Sequence, residues 1–242
     1  MLHFFVANFP DAKMLAIGGP AGLAWAAACL IFAGYTKRRW KFKTGYTRKV
    51  FHFLIFGTVV AINARWGTRG VCLFGGMTSL VIVYALMRGE GHLMYEAMAR
   101  EKDAPRRTYY IIVPYFATLA GGLAGSMIFP ATAVLGFLVT GLGDAVAEPV
   151  GTRFGRHVYS VPAVSGVPST RSLEGSAAVF IASVAALSFY FALAPQWELT
   201  VGSFSMIALI AAISTLVEAV SPHGWDNATL QVVPALMGAV LF

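Results

Sequence analysis

The sequence predicts an all-α fold, a polytopic membrane helix bundle of about eight transmembrane helices, with seven as the alternative count. Three observations predict it. Of the 242 residues, 57% are apolar and only 12% charged, about half the charged share of an ordinary soluble domain. The apolar runs approach the roughly 20 residues that a helix needs to cross hydrocarbon. They also follow one another so closely that no stretch remains for a separate soluble core, so residues 1–242 are expected to form a single membrane domain.

Read along the chain, the spans fall near 14–35, 50–67, 70–88, 108–129, 131–148, 176–194, 202–220 and 228–242. The last is short and the pair around Pro130 is crowded, which leaves seven open. The first does not read as a cleavable signal, because its leading flank holds only Lys13 against Asp11 while Lys37, Arg38, Arg39, Lys41 and Lys43 follow it. That polarity sends the amino terminus outward. Threading from there puts the loops at 36–49, 88–107, 149–175 and 221–227 inside, with 15 of the 18 Lys and Arg, as the positive-inside rule asks. Only Lys13, Arg65 and Arg69 fall outside. The expected setting is a bacterial inner membrane, with the polar chemistry facing the cytoplasm.

The formal charge of +7 is explained by basic residues flanking apolar runs, where acidic headgroups attract them; no nucleic-acid partner is expected. Cys29 and Cys72 both lie inside apolar segments without metal-ligand spacing, and read as small buried residues.

Ionisable residues in or beside spans are functional candidates, because an unpaired carboxylate costs several kcal/mol in hydrocarbon. Asp144 and Glu148 stand four apart, so a helix projects them from one face roughly 6 Å apart. Pro149 then disfavours continuing that helix. Two hard oxygen ligands so placed suit Mg²⁺, which completes its octahedron with water and phosphate oxygens; an interfacial pair neutralised by nearby arginines is the alternative. The run from Gly141 to His157 sets Gly143, Gly151 and Gly155 around the carboxylates and Arg153 and Arg156 beyond them. Glycine lets a backbone approach phosphate, and Arg binds phosphate oxygens in pairs. Together these groups suit a nucleotide triphosphate held in the inner loop 149–175, although glycines also serve tight helix packing.

Three further clusters reach the same face. Ser169–Ser176 closes the long inner loop, with Ser172 placed as a helix N-cap. There Arg171 and Glu174 are in reach of phosphate, metal or a ribose hydroxyl, or form a plain capping segment. Arg48, Lys49 and His52 open the second span and combine fixed positive charge with a candidate general base, or serve as topological anchors. Glu218, His223, Asp226 and Asn227 end the seventh span, where Asp226 and Asn227 either cap the eighth helix or add oxygen ligands.

Taken together, these residues resemble the family of CTP-dependent polyprenol kinases that includes dolichol kinase, phytol kinase and the yeast-type diacylglycerol kinase, related to the CDP-diacylglycerol synthases. The core pattern Gly-Asp-x-x-Ala-x-x-x-Gly-x-x-x-Gly is met by Gly143, Asp144, Ala147, Gly151 and Gly155. The pattern Lys-Ser-x-Glu-Gly-Ser is met by Arg171, Ser172, Glu174, Gly175 and Ser176, with Arg in place of Lys. An Arg-Lys-x-x-His pattern matches Arg48, Lys49 and His52, and a late Asp-Asn matches Asp226 and Asn227.

The resemblance implies transfer of the γ-phosphate of a nucleotide, commonly CTP, to the hydroxyl of a long-chain alcohol at the inner surface of the bilayer. Asp144, Glu148 and Asp226 would be metal ligands. The nucleotide would be bound by Arg48, Lys49, Gly143, Gly151, Arg153, Gly155, Arg156, Arg171, Ser172, Gly175 and Asn227, and catalysis carried by Asp144, His52, Lys49 and Glu174. Two rivals remain. A CDP-diacylglycerol synthase attacks the α-phosphate instead, but usually carries a Ser-Pro-Lys-Lys-Thr type stretch where this chain has Pro168, Ser169, Thr170, Arg171 and Ser172. An ion-coupled transporter places acidic groups near the midplane, whereas here no span centre carries a charge.

Overall fold

The computed structural model describes residues 2–162, 169–194 and 199–242. Among the described residues six helices are long and apolar enough to cross a membrane, as expected of an integral membrane protein, and the fold is nearly all helical. The expected count of seven or eight is not reached by that measure. The difference lies in two elements, one a long broken helix and one a short helix at the carboxyl end. The chain divides into two compact units, Met1–Ile112 and Val113–Phe242.

In the first unit a short helix α1 (Leu2–Ala7) precedes a wide π turn at Met14–Gly18, which runs into α2 (Gly19–Trp40). Helix α2 buries Ala26, Cys29, Leu30 and Ala33, the i, i+3, i+4, i+7 stripe of a packed helix face. Its partner is α3 (Thr44–Arg88), which buries Phe51, Ile55, Phe56 and Val59 before its midpoint and Leu73, Phe74, Val81 and Ile82 after it. A straight helix of 45 residues would run about 68 Å, more than twice the hydrocarbon thickness. Gly67, at φ 60° and ψ −159°, breaks it. This left-handed backbone is open to glycine without strain. The chain then doubles back, so that a Cβ at Gly70 would lie 2.7 Å from the Ile62 side chain.

A short helix α4 (Leu93–Glu96) sits on α2, where Leu93 O lies 2.6 Å from where a Cβ on Gly34 would be. An ionic network ties this connection down. Arg107 reaches Glu96 at 2.7 Å, and Lys37 reaches Glu96 at 3.2 Å and Glu101 at 2.7 Å. Burial acts to raise the Glu96 carboxyl, but hydrogen bonds from Arg107, the Gly91 N–H and Lys37 outweigh it and hold the group at about 2. The Glu101 carboxyl is likewise lowered, burial opposing and the Lys37 hydrogen bond leading the groups that lower it. Arg100 and Asp103 form a buried two-pronged pair, at 2.7 and 3.1 Å.

Helix α5 (Tyr109–Ile128) leads into the second unit. There α6 (Ala133–Leu138), a π turn at Val139–Gly143 and α7 (Asp144–Phe154) form one continuous helix. Of its apolar window 67% is buried, against 28% for α8 (Leu173–Leu193) and α9 (Val201–Val220); it is the central element of this unit. The final helix, α10 (Asp226–Leu241), has 16 residues. It crosses α5 and α6 on glycines: a Cβ at Gly121 would lie 2.7 Å from Ala228 Cα, and one at Gly136 would overlap Gln231 O. Small residues of this kind let membrane helices approach closely. Gln231 Nε2 then donates to Thr118 O and Asn227 O, both at 2.8 Å.

Two local expectations are corrected. The helix does not stop before Pro149 but carries it inside and continues to Phe154. Proline removes its own N–H bond to the carbonyl four residues back, a loss that packed membrane helices tolerate. The inner loop also contains strand structure. Strands β1 (Val158–Val161) and β2 (Ser169–Ser172) pair antiparallel, Tyr159 opposite Arg171. The part of the expected nucleotide loop at 163–168 lies outside the described residues.

Candidate metal and phosphate site

The second unit gathers its acids from three elements. Asp144 opens α7 directly after the π turn and is buried; π segments widen a helix by one residue and recur at functional sites. Glu218 lies in the last turn of α9, also buried, and Asp226 in the first turn of α10. One carboxylate oxygen from each lies within 4.8 Å of the others. Oxygens on a Mg²⁺ coordination sphere span up to about 4 Å, so the donor set suits a hard divalent cation after a small contraction.

Arg171 reaches into this cluster from β2. Its Nε lies 2.8 Å from Glu218 Oε1, one terminal nitrogen 2.8 Å from Asp226 Oδ2, and the other donates to Ser221 O at 3.2 Å. The single guanidinium therefore bridges two of the three acids. Hairpin register explains how it gets there: Arg171 sits one residue before the α8 N-cap, and the backbone N–H of His223 bonds Pro162 O at 3.0 Å, fastening the hairpin to the α9–α10 turn.

No protein-family model, curated protein or solved structure matches this chain. The chemistry open to the site is set by its own side chains.

Each expected residue has a definite place. Glu148 lies one turn after Asp144, half-buried, outside the group of three acids. Ser172 is the N-cap of α8, its Oγ accepting from Gly175 N at 3.1 Å. Gly151, Gly155 and Gly175 pack where α7 meets α8: a Cβ on Gly151 would lie 3.0 Å from Ser172 Oγ, and one on Gly175 would lie 3.0 Å from Ala147 O. Here they serve the helix crossing. Gly143 is equally close, its absent Cβ leaving room for the buried Ser183 hydroxyl.

Glu174 accepts the backbone N–H of Arg156 at 3.1 Å and of His157 at 3.3 Å, and pairs with His157 Nδ1 at 2.7 Å. It thus staples the end of α7 to the start of α8 and holds one nitrogen of a largely exposed imidazole. Arg153 and Arg156 are exposed at the same end, Arg153 stacked on Phe154 at 5.4 Å. Asn227 is buried, its side-chain nitrogen donating to Thr118 Oγ1 at 2.8 Å and to Pro114 O at 3.3 Å. It joins α10 to α5 and makes no side-chain cap of its own helix.

Arg48, Lys49 and His52 belong to the first unit, in the opening turns of α3. Lys49 is buried and the His52 ring lies 4.6 Å from that of Phe56. The sequence did not single out Glu218 as a ligand or His157 as a partner of Glu174. A carboxylate in the last turn of an apolar span was the available signal for Glu218. For His157 there was none, since its pairing depends on the hairpin.

Proposed function

We propose that the chain is a membrane lipid kinase that moves the γ-phosphate of a nucleotide triphosphate, CTP by resemblance, onto the hydroxyl of a long-chain isoprenoid alcohol. The observation that carries this reading is the convergence of Asp144, Glu218 and Asp226 with Arg171. An acidic metal-competent cluster with a guanidinium inside it suits phosphoryl transfer, which needs positioning and charge compensation more than covalent chemistry. The order Gly143-Asp144, Arg171-Ser172-x-Glu174-Gly175, Asp226-Asn227 supports the same class through its resemblance to polyprenol kinases.

In this reading Asp144, Glu218 and Asp226 hold Mg²⁺, with Glu148 one turn away. Bound there, the ion supplies Lewis-acid compensation of phosphate charge. Arg171, which the structure holds on Glu218 and Asp226, would supply the guanidinium nearest to phosphate oxygens at such a site. Arg153 and Arg156 take the outer phosphates, and Glu174 keeps the α7–α8 junction and His157 in place. A loose transition state needs little early proton removal, so the alcohol's alignment matters more than the strength of the base.

Eight crossings complete the proposal, with α3 counted as two about Gly67 and α10 as the eighth. The amino terminus then lies outside and the carboxylate site at the cytoplasmic face of a bacterial inner membrane.

The test is purified protein with an isoprenoid alcohol and CTP labelled at the α or the γ position. Label entering lipid from the γ position alone supports the kinase. Entry of the α label with release of pyrophosphate would overturn it in favour of a cytidylyltransferase, and entry from neither would remove the enzyme reading.

A further inference from the structure

The basic cluster after the first span divides in two. Lys37 turns inward to Glu96 and Glu101. Arg38, Arg39, Lys41 and Lys43 are exposed, and no hydrogen-bond or ion-pair partner meets their side chains among the described residues. Several other basic side chains are paired with protein acids: Arg100 has Asp103, Arg107 has Glu96 and Arg171 has Glu218. Here four positive charges stand together uncompensated.

Three aromatic side chains share the spot. Lys41 ends α2 in a left-handed conformation, φ 57°, and the turn brings the Phe42 ring to 5.7 Å from Trp40. Tyr35 packs edge-on to Trp40 at 6.3 Å. All three rings are about half exposed, at the end of the candidate span Met14–Trp40. Amphipathic rings at a span end belong at headgroup depth, where basic side chains are drawn to acidic lipid. A soluble polyanion would account for the charges but not for the exposed rings. A zwitterionic lipid would account for the rings but not for four unmatched cations.

We propose that Arg38, Arg39, Lys41 and Lys43, with Tyr35, Trp40 and Phe42, form a binding site for the headgroup of an acidic phospholipid. The cations meet its phosphodiester, and the rings meet the glycerol and upper acyl carbons. The site shares no residue with the carboxylate cluster and stands whether or not the chain transfers phosphate.

The test reconstitutes the full chain in vesicles containing brominated phosphatidylglycerol or brominated phosphatidylcholine and reads tryptophan quenching, with Trp40→Phe isolating the Trp40 signal. The expected result is enrichment of the acidic lipid at Trp40 by about fivefold, the ratio one basic contact supplies at a membrane surface. The enrichment falls as salt rises. It is lost in the R38Q/R39Q/K41Q/K43Q variant and halved or more in K41Q/K43Q, which keeps the proposal testable if the fourfold change misfolds. Equal quenching by the two lipids, enrichment that survives in both variants, or displacement by inorganic pyrophosphate at constant ionic strength would overturn it.

Discussion

Arg171 Nε lies 2.8 Å from Glu218 Oε1, and the two side chains are only 11% and 4% exposed. A strand residue from the hairpin thus neutralises an acid at the end of an apolar helix. Removing one partner of a buried pair costs about 3–5 kcal/mol, because the other charge is left behind. Arg171→Gln is therefore expected to lower the melting temperature in detergent. Millimolar Mg²⁺ should recover more of that loss in the variant than it adds to the wild type, since a cation held by the same acids replaces the missing charge. A variant that melts like the wild type and ignores Mg²⁺ would contradict this account of the pair.

The crossing of α6 and α10 gives a sharper steric prediction. A Cβ at Gly136 would overlap the Gln231 carbonyl, whereas one at Gly125 would lie 3.6 Å from that oxygen in ordinary contact. Gly136→Ala should destabilise by about 1–3 kcal/mol, as overpacking does, and Gly125→Ala by much less. Thermal melts of the two variants side by side would check it.

Acid should weaken the network around Glu96. Its carboxyl sits at about 2 in the folded chain against an ordinary 4.5, so the folded state binds its proton more weakly than the unfolded one. The stabilisation is complete above about 4.5 and is lost as pH falls toward 2. Melting temperature measured from pH 7 to pH 3 should fall over the lower part of this range, and Glu96→Gln should flatten that fall while lowering stability at neutral pH.

Ser172 offers a local test of the α8 start. Replacing it with Ala removes the acceptor for Gly175 N and should cost about 1 kcal/mol, as lost N-caps do. Hydrogen exchange at the Gly175 amide should quicken in step.

The apolar runs made the helices legible, because a helix buried in lipid needs a long unbroken run of such residues. The same runs pause between 67 and 70, where the backbone of α3 breaks at Gly67. Ser172 was legible as a cap from its place before an apolar run. The hairpin was not, because four-residue strands inside a polar loop leave no periodic signal. Its consequences were hidden with it: Arg171 on two acids, and Glu174 on the backbone of Arg156 and His157. Nor does the sequence show that the Asn227 side-chain nitrogen donates to Thr118 and Pro114, a contact between helices far apart in the chain. Pro149 misled because a proline weighs less within a packed membrane helix than in an isolated one.

The central claim, that Asp144, Glu218 and Asp226 together form a divalent-cation site, is tested most directly by Mn²⁺ binding to the purified chain, read by electron paramagnetic resonance. One ion should bind per chain, with affinity reduced at least about tenfold, the lower bound for disturbed metal sites, in each of Asp144→Asn, Glu218→Gln and Asp226→Asn. Binding left unchanged by all three substitutions would contradict it.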